Sequence, residues 1–586
     1  MPEKVYERLP RSDSSCGRSL EASRCACSMM TGVARVAMVT TSLVMMVVVI
    51  FIINNKYTSA KERDTRREFL SSNQYRSLSD LQYAGEGRSY ARLSINTSTV
   101  VATVDERFVS VGATMGSFNR SLGQHFNSTR FWTAARGLAP AIYRMGGAEA
   151  DFTYFDAHNT RDECLQNGKL KENRKLDNYG KLTFHNMTLC AHTWDNINEF
   201  ARSVGWQVLF CLNALTRNKT SWDPTNALEM IKYTQNRGYQ VLWGLGNEPN
   251  GYLRKANVVV NGTQMADAFH TLRKEVRRLS GQSDIFLVGP DTSAPIKKEN
   301  ELTSTKFYLE DFLKEVGNAT NVTSFHYYYT SGRTANFQNV TDPKVADKLI
   351  PNIESVRGSV AKYGSAYNSR VWISESGLTF GGAPSGLSAR YVLGMMMLDK
   401  LGVSARYGIE LIVQQGLIGK TGGLFDAAYK PRLPYWWFLY HKRLMGTRVL
   451  DVSKAVSTTN SVLKHNDDDF SNHVRVYAHC TKTSTLYHPG SVTLMIINMI
   501  PIFEVHVQLE TPFQNTTIHE YLFTPLGAQS ILSPHGKLNG RRLKMDSDYT
   551  LPDYAPRERP PGSTIVLPQQ SFGFYVLPNA QASVCL

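Results

Sequence analysis

The chain predicts an α/β protein: a (β/α)8 TIM barrel with a C-terminal β-sandwich, preceded by a single N-terminal transmembrane helix. Three observations predict it. Eight short apolar runs alternate with helical stretches through the middle of the chain, which is the repeat of a parallel barrel. After about Met445 the texture changes to alternating strands separated by turns, as in a sandwich. Val36 to Ile53 is an uncharged, almost wholly apolar run of 18 residues, the length at which a helix crosses a bilayer.

In chain order, residues 1–35 are expected to be a cytosolic tail and 36–53 an uncleaved signal anchor. The run lies too far into the chain for a signal peptide and lacks a small-residue cleavage site. Positive residues flank both ends (Arg24 and Arg35 before, Lys56, Lys61 and Arg63 after), so charge alone does not set its orientation. The ten N-x-S/T glycosylation acceptors, from Asn96 to Asn515, all follow it, which places the rest of the chain in the lumen or outside the cell. The expectation is a type II membrane protein of the secretory pathway, cell surface or lysosome.

Residues 54–93 are polar and without hydrophobic period, a stalk. Residues 94–105 are read as a strand lent to the sandwich, 106–445 as the barrel and 446–586 as the sandwich. The eight barrel strands are expected at FVSVGATM (from Phe108), AIYRMGG (from Ala141), WQVLFCLNAL (from Trp206), YQVLWGLGNE (from Tyr239), DIFLVGPD (from Asp284), VTSFHYYY (from Val322), RVWISES (from Arg370) and IELIVQQ (from Ile409). Between the third and fourth, Asp223 can cap a helix, Pro224 take its first turn and Gly238 end it. Cys480 pairs with Cys585 and Cys164 with Cys190 in the expected arrangement, with Cys211 free and buried, although spacing alone leaves connectivity open. Cys16, Cys25 and Cys27 precede the span and would stay reduced.

With 42% hydrophobic and 20% charged residues the chain is not a disordered one. The net charge of +15 suits an acidic partner, whether nucleic acid, an anionic membrane or an acidic polysaccharide. No nucleic-acid-binding module is recognisable, and RKEVRR (Arg273 to Arg278) reads as one face of a helix. Neither metal nor cofactor is expected: histidines stand singly, and GLIGKT (Gly416 to Thr421) lacks the spacing of a phosphate loop.

The run VLWGLGNEPN (Val241 to Asn250) ends in Gly-Asn-Glu-Pro, which stops the strand and leaves Glu248 beside Asn247 at its end. Counting along the barrel, Glu248 closes the fourth strand and Glu375 the seventh. Barrel enzymes carry their chemistry at the C-terminal ends of the strands, so both carboxylates project into one pocket. Paired carboxylates are what glycoside hydrolysis needs: one acid to protonate the leaving oxygen, one carboxylate to attack the anomeric carbon.

The motif GNEP on strand four, HYYY (His326 to Tyr329), SES with a following GG on strand seven, and DKLGVSARYGIE (Asp399 to Glu410) resemble the heparanase family of retaining endo-β-glucuronidases. The resemblance runs from about Thr97 to the last residue and includes the Cys480 and Cys585 pair. It implies Glu248 as acid/base, Glu375 as nucleophile, and Asn247 as a partner of the sugar 2-hydroxyl. It also implies Tyr328 near the nucleophile, Asp105, Arg333 and Gln415 lining the cleft, and Gly381 and Gly382 holding the uronate carboxylate. The two carboxyl groups should stand about 5 Å apart, and Glu248 should have a raised pKa through shielding and the charge of Glu375.

The chain also departs from the family. Gly422 stands where a uronate-binding tyrosine is usual, with Tyr429 as a possible replacement. Ile296 stands at a basic cleft position, followed by Lys297 and Lys298, and Ala148 replaces a threonine after the Gly-Gly turn. The segment Asn159 to Lys181, where heparanase has an excised linker, is short. The implied substrate is heparan sulfate, cut internally with weaker dependence on sulfate. Hyaluronan or chondroitin cleavage by the same chemistry, or a silent polysaccharide-binding protein, are the alternatives.

Overall fold

A computed structural model describes residues 88–115, 128–158, 174–176, 182–280, 284–296, 304–382, 386–419, 422–458, 470–527 and 531–586. The expected tail, anchor and most of the stalk lie outside the described residues, as do Cys164, Lys297 and Lys298. Among the described residues no helix is long and apolar enough to cross a membrane.

Eight parallel strands close a barrel: β2 (Val109–Thr114), β3 (Ala141–Gly146), β4 (Trp206–Leu212), β5 (Val241–Leu245), β6 (Leu287–Thr292), β7 (Val322–Ser331), β8 (Val371–Phe380) and β9 (Leu411–Gln415). These are the eight runs expected from sequence. Helices follow them: α1 (Thr129–Gly137), α2 (Ala191–Ser203), α3 (Thr225–Asn236), α4 (Gly262–Ser280), α5 (Ser304–Val316), α6 (Leu349–Tyr363), α7 (Leu393–Arg406) and α8 (Leu433–Leu444). Ile142, Leu209, Leu242, Val288, Val322, Trp372, Leu411 and Val413 pack together in one buried cluster, so branched and aromatic side chains from β3 to β9 form a filled core. The start of α3 follows the sequence reading: the Asp223 carboxylate accepts from the Thr225 N–H at 3.0 Å, and Gly238 adopts φ +70° beyond its end, a left-handed conformation that costs glycine little.

The second sheet has eleven strands. Its central members are β1 (Ser89–Thr103), β10 (Met445–Thr458), β11 (Val474–Thr481), β12 (Val492–Asn498), β13 (Val505–Leu509), β14 (Ile518–Pro525), β15 (Ile565–Leu567) and β16 (Ser571–Leu577). Side chains from β1, β13 and β15 near one end share one core with β12, β14 and β16 near the other, so the sheet folds over itself around that core. β1 starts five residues earlier than the expected boundary at Ser94. Ser89, Ala91, Leu93 and Ile95 are buried while Tyr90 and Arg92 are exposed, a period-two pattern hidden in sequence by its polar neighbours. β1 pairs antiparallel with β10 and parallel with β13. Cys480 and Cys585 are bonded, with Cα atoms 5.3 Å apart. Cys190 is also disulfide-bonded, and Cys211 is free and buried.

The sandwich is clamped to the barrel through α7, which is buried from Leu393 to Ala405. The Tyr477 hydroxyl of β11 donates to Asp399 of α7 at 2.5 Å, and the Tyr477 ring lies against Gly402. A Cβ there would come within 2.3 Å of ring carbons. Gly402→Ala is therefore expected to destabilise the folded chain by about 1–3 kcal/mol through overpacking, read as a lower urea midpoint with an unchanged slope.

Candidate active site

Loops and strand ends at the C-terminal face of the barrel enclose a cleft of about 1520 Å³, larger than the usual 300–1,000 Å³ of a small-molecule pocket. Asn247, Glu248, Tyr328, Glu375, Gly381, Gly382, Gln415 and Gly422 all line it. Asp105 does not. It precedes β2, accepts from Arg107 at 2.7 Å, and its N–H donates to the Glu410 carbonyl at the start of β9. It therefore sits at the N-terminal end of the barrel, and Thr114, at the other end of β2, lines the cleft instead. Arg333 is exposed on the loop after β7 and is not among the cleft-lining residues. Tyr429 packs against Phe131 and is not in the cleft lining either, so it does not replace the missing tyrosine.

Two local distortions aim the acidic groups. Glu248 has φ +48° and Asp291 φ +53°, conformations that non-glycine residues adopt at a cost and keep where the surroundings hold them. On β8, Phe325 pairs with Ile373 but His326 pairs with Glu375, so Ser374 is an extra residue, a bulge that resets the alternation. Ser374 then donates to Asp291 at 2.5 Å, while Glu375 faces the cleft.

The hub is Arg144 of β3, which sequence reasoning passed over. It is fully buried. Its Nη1 donates to Glu375 Oε2 at 2.8 Å, and Nη2 donates to Asp291 Oδ2 at 2.8 Å and Asn247 Oδ1 at 3.1 Å. An arginine inside an apolar strand, directly before Met-Gly-Gly, was the available signal. Tyr328 donates to Glu375 Oε1 at 2.8 Å, so both oxygens of this carboxylate are oriented. Asn247 also accepts from the Gly147 N–H at 3.0 Å, which leaves its amide NH2 for a ligand. Both side-chain polar atoms of Gln415 are buried without a protein partner.

Glu248 contacts Lys255 Nζ at 3.1 Å and His326 Nδ1 at 3.3 Å. Burial alone would raise its pKa, but these two cationic neighbours outweigh it and hold the carboxyl well below the usual carboxylate range. This corrects the expectation of a raised pKa, which counted Glu375 and not Lys255 or His326. Burial alone would lower the pKa of His326, but the carboxylates of Glu375, Asp291 and Glu248 push it up to about 9 despite Arg144.

If Glu248 serves as the acid, its proton in the free enzyme is lost at low pH, and the fall of kcat/KM with rising pH reports that loss. Lys255→Met removes a charge that favours the ionised form, so this fall is expected to move up by about 1 to 2 pH units. A pH–kcat/KM profile checks it; an unmoved limb would show that another group sets it.

A closed parallel barrel with two carboxylates at the ends of its fourth and seventh strands, one oriented by an arginine and a tyrosine, defines a barrel glycoside hydrolase. Residues 91–402 match the glycosyl hydrolase family 79 N-terminal domain, and the chain belongs to that family, alongside the heparanases. It is 34% identical over 483 residues to heparanase of Gallus gallus, covering 78% of this chain and 88% of that protein. It is 28% identical to inactive heparanase-2 of Homo sapiens (84% and 89% covered) and 26% identical to hyaluronoglucuronidase of Hirudo nipponia (84% and 99%). The fold is shared with a 4-O-α-L-rhamnosyl-β-D-glucuronidase of Fusarium oxysporum, at TM-score 0.58 and 14% identity, over 83% of this chain and 100% of that one. The chain is a glycoside hydrolase.

Proposed function

We propose that this hydrolase cuts internal glucuronidic bonds of heparan sulfate by a retaining double displacement. The observation that carries the reading is the pair Glu248 and Glu375, facing one cleft and joined through His326 and Arg144. Glu375 attacks the anomeric carbon while Glu248, which first takes up a proton against the pull of Lys255 and His326, gives it to the leaving glycosidic oxygen, so that one C–O bond forms as the other breaks. Water then attacks the glycosyl ester, Glu248 takes the water proton, and Glu375 leaves as carboxylate. Arg144 and Tyr328 hold Glu375 in the attacking orientation, and the Asn247 amide meets the 2-hydroxyl. Gly381 and Gly382, at φ +72° and +110°, present backbone to the uronate.

Cleft size supports a polymer over a single sugar, and Arg254 and Lys348 in the lining favour a sulfated polyanion over hyaluronan. Retention of both carboxylates argues against a silent binding protein. The test is incubation of the purified protein with heparan sulfate and with hyaluronan at acidic and neutral pH, with reducing-end analysis and NMR of the product anomer. Faster cleavage of hyaluronan would overturn the substrate, and an inverted product the mechanism. We further propose that residues 36–53 anchor the chain with its catalytic part lumenal or extracellular; absence of an endoglycosidase-sensitive mass shift would refute this.

A further inference from the structure

We propose that Lys348 is a specificity-determining residue that reads a sulfate group of the substrate, on the arm of the cleft beyond β6 and β7. The assignment rests on the sulfated-polymer reading above and deepens it. Among the described residues the lysines and arginines that line the cleft are Arg254, Lys255 and Lys348. Lys255 is already engaged by the Glu248 carboxylate at 3.1 Å and the Asn247 carbonyl at 2.9 Å. Lys348 is exposed to the cleft, and no protein carboxylate pairs with it among the described residues. Among the described residues its ammonium is therefore not engaged by a carboxylate and is open to a ligand.

The backbone of Lys348 is held by a buried side chain. Asn352, 3% exposed, donates through Nδ2 to the Lys348 carbonyl at 2.8 Å and accepts through Oδ1 from the Ile296 N–H at 3.0 Å. Asn352 thus ties the loop after β6 to the start of α6. Ile296 is an apolar member of the cleft lining at this point. Lys348, bonded to the same asparagine, supplies the cation from the helix side. The opposite arm is lined by Thr114, Ala148, Gln415, Ile418, Gly419 and Gly422, all uncharged. The cleft is one-sided in charge among the described residues, and the sulfate-bearing face of the polymer lies toward β6 and β7. A sulfate ester keeps its charge at acidic pH, where a uronate begins to lose its own.

The test is steady-state kinetics of Lys348→Met, which keeps the stem and removes the charge, on heparan sulfate and on its unsulfated backbone polymer. KM on heparan sulfate is expected to rise about three- to tenfold with kcat unchanged, as for one partly exposed charge-assisted contact. KM on the unsulfated polymer should stay the same. Ile296→Lys in the Lys348→Met background should recover much of the loss, a rescue that a merely structural role of Lys348 would not give. An unchanged KM on heparan sulfate, or an equal rise on both polymers, overturns the assignment and leaves the substrate reading standing. A wild-type protein inert on both polymers overturns the substrate reading and this assignment together.

Discussion

Glu375→Gln is expected to lower kcat by at least about 10⁴-fold on every substrate, the scale at which removal of an attacking group is felt. The amide has nearly the shape of the carboxylate, so Arg144 and Tyr328 lose little packing, but on the proposed mechanism it has no anionic oxygen to form the glycosyl ester. Thermal melting should move by only a few degrees, which separates lost chemistry from lost folding. The counterpart at the other carboxylate has a different signature. Glu248→Ala should cripple turnover of poor leaving groups while sparing the first step on an activated aryl glucuronide, and added azide should restore turnover by attacking the glycosyl ester without needing a general base. Azide acceleration of the Glu375 variant with retained configuration would reverse the two roles.

Arg144→Met is expected to be the most destabilising substitution in the site, by about 3–5 kcal/mol. Arg144 is 0% exposed, and its side chain faces Asp291 at 2% and Glu375 at 12% exposure. Removing the guanidinium leaves two carboxylates in a poorly hydrated place, with Ser324, Ser374 and the Cys211 thiol still donating to Asp291, His326 Nε2 at 3.6 Å from it, and Tyr328 still donating to Glu375. Urea unfolding reads the loss. Asp291→Asn added to Arg144→Met should return part of it, because the uncompensated charge is then gone, and the coupling from the double-mutant cycle should exceed about 1 kcal/mol. Activity should not return with it, since Glu375 keeps only Tyr328 of its two orienting donors.

Much of this was legible in the amino-acid order. The barrel strands stand where apolar runs stop at Gly, Asn or Pro, since strand and helix periods are local properties of a chain. Glu248 and Glu375 could be placed by counting strands, and Cys480 and Cys585 are joined. Asp105 misled because its place before β2 rather than after it decides which end of the barrel it occupies. Arg144 carried only the signal of an arginine inside an apolar strand, and Asp291 and Lys255 carried none; their roles arise only when β3, β6, β8 and the segment after β5 bring their charges within hydrogen-bond distance. The low pKa of Glu248 belongs to the same class: a carboxyl's ionisation depends on every charge around it in space. The sequence by itself determined the barrel, the presence of a C-terminal sheet domain and the two strand-end carboxylates, because hydrophobic period and chain-breaking residues act between near neighbours. Only the tertiary structure decided which charges pair, which remain open to a ligand and how strongly Glu248 holds its proton, because Coulomb interactions and burial act across residues far apart in the chain.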